Sequence, residues 1–120
     1  MFKVNENEFE YRFGNSGPKY LLKGPRLNFG VVVLQPGEDF TNHYHTIMEE
    51  NFFILEGSIE FTVNEKDVII CNTGDFIHLE PNESHYLKNI SDTPAKAVFC
   101  LGPYQISDKT EVSINKNNIL

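Results

Sequence analysis

A chain of 120 residues with ten Phe and five Tyr can build one core without covalent staples, so its two cysteines, Cys71 and Cys100, read as reduced core residues. Seventeen acidic against ten basic residues give a net charge of −7 and no basic face for a phosphate backbone, so nucleic acid is not an expected partner. The N-terminus carries early acids and lacks an apolar run of about 7 to 15 residues, which predicts neither a signal peptide nor a membrane span and places the protein in the cytoplasm.

Helical periodicity is weak, while short apolar or alternating runs recur between Gly, Pro, Asn and Asp from Lys19 to Gly102. This pattern predicts an all-β sandwich or barrel of about eight or nine strands. The stretch to Pro18 has room for a short edge strand around Phe9 to Phe13, and Gly24-Pro25-Arg26 reads as a turn with a surface Arg. Phe29 to Gln35 is the first clear strand, β-branched and closed by Pro36-Gly37. Asn42 to His45 follows, then Glu50 to Glu56, ending at Gly57.

Ser58 to Val63 alternates polar residues with Ile59, Phe61 and Val63, and Asn64-Glu65-Lys66 turns it into Asp67 to Cys71 as a hairpin. Asp75 to Leu79, Ser84 to Ile90 and Ala95 to Leu101 complete the set, with a loop over Glu80 to Glu83. The tail from Ser107 is polar apart from Val112, Ile114 and the last two residues, and is either a docked edge strand or a frayed end. One domain is expected over 1–120, with the barrel at about 19–102 and flanking strands or arms at 1–18 and 103–120.

Two spaced patterns carry chemistry. His43 and His45 are two apart in a strand, so both side chains leave on one face, with Tyr44 on the other. A bend after Thr46 would bring Glu50 beside them, and only a closed sheet would add His85. Three imidazoles and a carboxylate suit Fe(II), Mn(II), Ni(II), Co(II) or Zn(II). Six-coordination would leave two positions open to a substrate, whereas tetrahedral Zn would be saturated.

The first pattern is Gly37, five residues, His43-Tyr44-His45, four residues, Glu50, six residues, Gly57; the second is Gly74-Asp75, nine residues, His85, three residues, Asn89. Together they resemble the two motifs of the cupin superfamily. The resemblance implies a single jelly-roll β-barrel of the RmlC-like kind and one divalent transition metal on His43, His45, Glu50 and His85. Glu80 and Asn82 stand where the family usually has Pro and Gly, and Asn tolerates the left-handed turn that Gly would take.

Glu49 also fits a shorter gap after His45, but the six residues to Gly57 select Glu50, and Glu49 is then a solvated loop residue. His78 belongs to neither motif, and Asn89 reads as a hydrogen-bonding strand end. Phe52, Ile54, Phe61, Val63 and Leu87 read as barrel filling or the lining of a pocket mouth. Since the cupin superfamily hosts many reactions, the resemblance names none.

The expected function is a metal-dependent enzyme, an isomerase, epimerase or dioxygenase, acting on a small polar or carbohydrate-like molecule. Glu83 and Glu49 are the candidates for moving protons. The alternative is a metal-bearing binding or sensor module without turnover. A homodimer is also expected, with Val31, Val33, Phe53 or Phe99 covering an outer sheet face.

Overall fold

The structure, a computed structural model, describes residues 1–113, and among these ten strands pair antiparallel in two sheets of five. One sheet has the order β1 (Gly17–Lys23), β2 (Asn28–Leu34), β9 (Ala95–Gly102), β4 (Glu49–Glu56) and β7 (Phe76–Leu79). The other runs β10 (Lys109–Glu111), β3 (Asp39–His45), β8 (His85–Asn89), β5 (Ser58–Val63) and β6 (Asp67–Asn72). Alternation turns Ile59 and Phe61 of β5 inward against Ile54, Leu87 and Ala97, and none of the five is more than 1% exposed. This is the all-β jelly-roll barrel expected from the sequence. Burying a side chain such as Phe61 contributes about 1.5–3 kcal/mol.

Gly57 closes β4 in a left-handed conformation, φ +74°, and a Cβ there would come within 2.9 Å of the Pro94 carbonyl oxygen. The glycine that ends the first motif is therefore required by both backbone angle and space.

Three local expectations are corrected. Phe9 to Phe13 is not a strand: a short 3₁₀ turn at Glu6–Glu8, capped by Asn5, leads into a lone bridge between Tyr11 and Gly14. This arm is tied to the outer face of the first sheet, where Lys19 Nζ donates to the Glu6 carbonyl at 2.9 Å, Lys96 Nζ meets Glu6 Oε1 at 2.6 Å, and Lys19 sits over the Tyr11 ring. Lys19 pairs with Val31 and Lys96 with Val33, so the arm lies over the face that those valines share, and both are buried. With Phe99 turned into the barrel core, Phe53 alone of the four suggested covering residues remains exposed, at 44%.

A strand also precedes the first one read from sequence. β1 carries Tyr20, Leu21 and Leu22 between Lys19 and Lys23 after Gly17-Pro18, and Pro is tolerated there because β1 is an edge strand. Finally, β3 starts three residues earlier than expected. Phe40 faces Leu87 and His43 faces His85, so three steps on β3 oppose two on β8. This bulge breaks the alternation that a sequence reading relies on.

Of the two alternatives for the tail, β10 is the docked edge strand, with Lys109 opposite His45 and the Val112 N–H donating to the Asn42 carbonyl at 3.0 Å. Ile114 and the last two residues lie outside the described residues. Cys71 is buried, Cys100 is half-buried, and both are free thiols. β6 is the outermost strand of its sheet, and Val68, Ile69 and Ile70 on it are 52%, 46% and 51% exposed.

Candidate metal centre

The two sheets divide the site between them. β3 supplies His43 and His45, and its neighbour β8 supplies His85 directly opposite His43. Glu50 enters from β4 of the facing sheet. Glu50 Oε1 lies 3.7, 3.2 and 2.8 Å from Nε2 of His43, His45 and His85. One donor atom from each of the four residues falls within 4.8 Å of all the others, and all four side chains are buried.

The backbone orients two of the rings. His43 Nδ1–H donates to the Thr41 carbonyl at 2.7 Å and His85 Nδ1–H to the Glu83 carbonyl at 3.1 Å, which leaves each Nε2 with a lone pair directed inward. In a neutral ring such a lone pair can face the Glu50 carboxylate only with a cation between them; without one, the ring must carry a proton on Nε2 to donate to it. Burial pushes the His43 pKa down, favouring neutral imidazole, despite the hydrogen bond to Glu50. Burial by itself would raise the Glu50 pKa, but hydrogen bonds with His43, His45 and His85 outweigh it and hold the carboxyl well below its ordinary range. An anionic oxygen and inward imidazole nitrogens form a mixed donor set that fits a divalent transition metal. His45 Nδ1 has no partner among the described residues.

The connection from His45 to Glu50 is held from outside the motifs. The buried Asp108 carboxylate, just before β10, accepts from the N–H groups of Thr46 at 3.0 Å, Ile47 at 3.0 Å and Met48 at 2.8 Å. From the other side, the Asn82 N–H donates to the His45 carbonyl at 2.6 Å. Asn82 has φ 72°, the left-handed turn expected of a residue replacing Gly. Asn89 is the hydrogen-bonding strand end that was expected, its Nδ2 donating to the carbonyls of Leu34 and Thr93.

A cavity of about 60 Å³ opens over His43, His45 and Glu50. Its walls are Val32, Phe52, Leu87, Phe99 and Leu101, and Arg12, Tyr20, Phe40 and Lys109 line it further. The β3 bulge puts Phe40 on the same side as His43, with ring centroids 5.6 Å apart. Tyr20 packs edge-on against Phe99 at 5.0 Å, and burial pushes its hydroxyl pKa up. Gly30, paired with both, leaves the room that the Phe99 ring occupies: a Cβ there would lie 2.6 Å from Phe99 Cζ and collide with the Lys19 carbonyl oxygen.

Glu49 and Glu83 do not line this cavity. Glu49 belongs to β4 rather than a loop, and its carboxylate lies 3.3 Å from His78 on the outer face. Glu83 accepts from the Glu80 N–H inside its own loop. The Tyr86 hydroxyl donates to Asp39, away from the centre. Arg12, Tyr20, Asp108 and Lys109 were missed from sequence. None lies in either motif, and only the topology brings them to the site.

The family model described as "Cupin domain" matches residues 30–101. The tetracenomycin polyketide synthase protein TcmJ of Streptomyces glaucescens is 30% identical over 74 residues, covering 62% of this chain and 49% of that protein, so the match spans about half of that relative. A Klebsiella pneumoniae protein with a double-stranded β-helix domain superposes with a TM-score of 0.81 at 17% identity, over 94% of this chain and 98% of the other. The nucleoside dehydratase Pac13 of Streptomyces superposes at 0.73 and 19% identity, over 98% and 96%. At such identities the structural likeness speaks for the fold alone.

Proposed function

Because this chain belongs to the cupin domain family, we propose that it is a metal-dependent enzyme that moves a proton on a small polar molecule, in an isomerisation, epimerisation or elimination. The observation that carries this reading is a set of four convergent donors, three of which, His43, His45 and Glu50, line a cavity that Tyr20 also lines. His43, His45, Glu50 and His85 would hold one divalent ion. When bound, that ion supplies Lewis-acid polarisation of a substrate oxygen.

The chain's own residues do the rest. Phe52, Leu87 and Phe99 exclude water and strengthen every electrostatic contact inside. The Tyr20 hydroxyl, kept protonated at neutral pH by its raised pKa, is the group we assign to proton donation. That elimination is a reaction of this fold in Pac13 supports the class without naming the substrate.

The test is metal analysis of untagged protein, then aerobic and anaerobic assays with the identified ion. Product formed without dioxygen, and lost in Tyr20→Phe, is expected. Dioxygen consumption coupled to product would replace this reading with the dioxygenase one. A second reading, a metal-bearing binding or sensor module without turnover, is favoured by Glu50 being the one carboxylate that lines the cavity among the described residues. Ligand binding with no product in either atmosphere would select it.

We read the quaternary state as a homodimer. The outer face of the first sheet carries Phe29, Phe53 and Phe76, 38%, 44% and 62% exposed, around half-buried Val98. Among the described residues no helix is long and apolar enough to cross a membrane, and we keep the cytoplasmic location expected from the sequence as a proposal.

A further inference from the structure

We propose that the substrate carries an oxyanion, a carboxylate or a phosphate, held between Arg12 and Lys109 while its reacting oxygen faces His43, His45 and Glu50. This deepens the metal-centre reading and rests on it for the second half of the contact. Arg12 comes from the N-terminal arm and Lys109 from β10, yet both point at one ring. Arg12 Cζ is 6.0 Å and Lys109 Nζ 5.0 Å from the Phe40 centroid, and the Phe40 ring is 5.6 Å from that of His43.

Charge makes this convergence informative. Seventeen acidic residues are available in the chain, but neither Arg12 nor Lys109 forms an ion pair among the described residues. The one carboxylate lining the cavity among the described residues, Glu50, is already engaged by three histidines. A divalent ion would more than neutralise it. The cavity would then present net positive charge on a protein of net charge −7.

A neutral substrate closing the mouth would strip water from two cations and return nothing. An oxyanion returns charge-assisted hydrogen bonds, and the planar guanidinium can give two at once. The cavity is small, about 60 Å³, and favours a compact substrate. Both cations lie outside residues 30–101, in the parts of the chain beyond the family match.

The experiment titrates cobalt-loaded protein calorimetrically with two matched pairs, levulinate against methyl levulinate and glycerol 3-phosphate against glycerol. At least one anion should bind about tenfold tighter than its neutral partner. Preference in the first pair identifies a carboxylate, and in the second a phosphate. Arg12→Gln and Lys109→Gln should each weaken the anion about tenfold, with cobalt content unchanged and the melting temperature no lower.

Repeating the titration on metal-free protein separates the two readings. Discrimination that persists there and disappears in the double variant upholds the cationic clamp even if the chain takes up no cobalt, a result that would sink only the metal centre. Equal binding of anion and neutral partner, no saturable anion binding in the millimolar range, or a preference surviving in the double variant overturns the proposal.

Discussion

Glu50 Oε1 approaches His85 Nε2 to 2.8 Å, and the two residues stand on strands of opposite sheets. A metal held by both would tie the sheets together, so metal should bind the folded chain far better than the unfolded one. At a free metal concentration about one hundred times Kd the gain is about 2.7 kcal/mol, read as a higher melting temperature.

The same relationship separates two adjacent glutamates. Glu50→Gln should lose most of its metal and the thermal gain, because it removes the anionic ligand from beneath a divalent charge. Glu49→Gln should keep wild-type metal content, since that side chain faces His78 on the outside. Metal analysis of both purified variants decides it, and the opposite pattern would move the carboxylate ligand to Glu49.

Asp108→Asn should destabilise the fold by about 1–3 kcal/mol, because a charged acceptor of three backbone N–H groups is replaced by a neutral one. Burial by itself would raise the Asp108 pKa, but the hydrogen bonds from Met48, Ile47 and Thr46 hold it below the ordinary value of 3.8. A depressed folded pKa means stability that is present above the unfolded value and lost as pH falls through the folded one. Denaturant melts should therefore show a wild-type advantage that is constant above about pH 5 and shrinks below 3.8. An advantage independent of pH across that range would contradict the assignment.

Gly30→Ala should cost about 1–3 kcal/mol, as overpacking does when backbone and a ring must both give way. Because one of the displaced groups is the Phe99 ring, which lines the cavity, the variant should also lose activity or ligand affinity while retaining metal. Chemical denaturation and metal content, measured on one preparation, test the two halves of this statement.

Phe53→Asp or Phe76→Asp should give a monomer by sedimentation while leaving metal content unchanged. Both residues lie on the outer face of β4 and β7 and pair with each other. A wild-type monomer at working concentration, or variants that remain dimeric, would remove that face as the interface.

Much of the barrel was legible because its inner strands alternate cleanly: Ile59, Phe61 and Val63 fix the face of β5 without reference to any other strand. The juxtaposition of His43, His45, Glu50 and His85 was legible from two local spacings that the barrel closes on each other. What could not be read is what depends on a break in period or on the chain ends. Phe40 reaches the cavity only through a bulge, and a bulge leaves no mark in an apolar pattern. Arg12 and Lys109 are 97 positions apart and look like surface charges until β10 docks against β3. Asp108 appears as one more charge in a polar tail, and nothing local connects it with Met48.

The apolar run on β6 has a consequence for handling the protein in concentrated solution. Val68, Ile69 and Ile70 lie on a strand with no strand paired along its outer edge among the described residues, which is the template on which aggregates grow strand by strand. Glu65, Lys66 and Asp67 at its head act as gatekeepers, since a second chain adding there must bring its own charges close to theirs. High salt screens that protection while strengthening apolar association, so precipitation under salting-out conditions should begin along this edge.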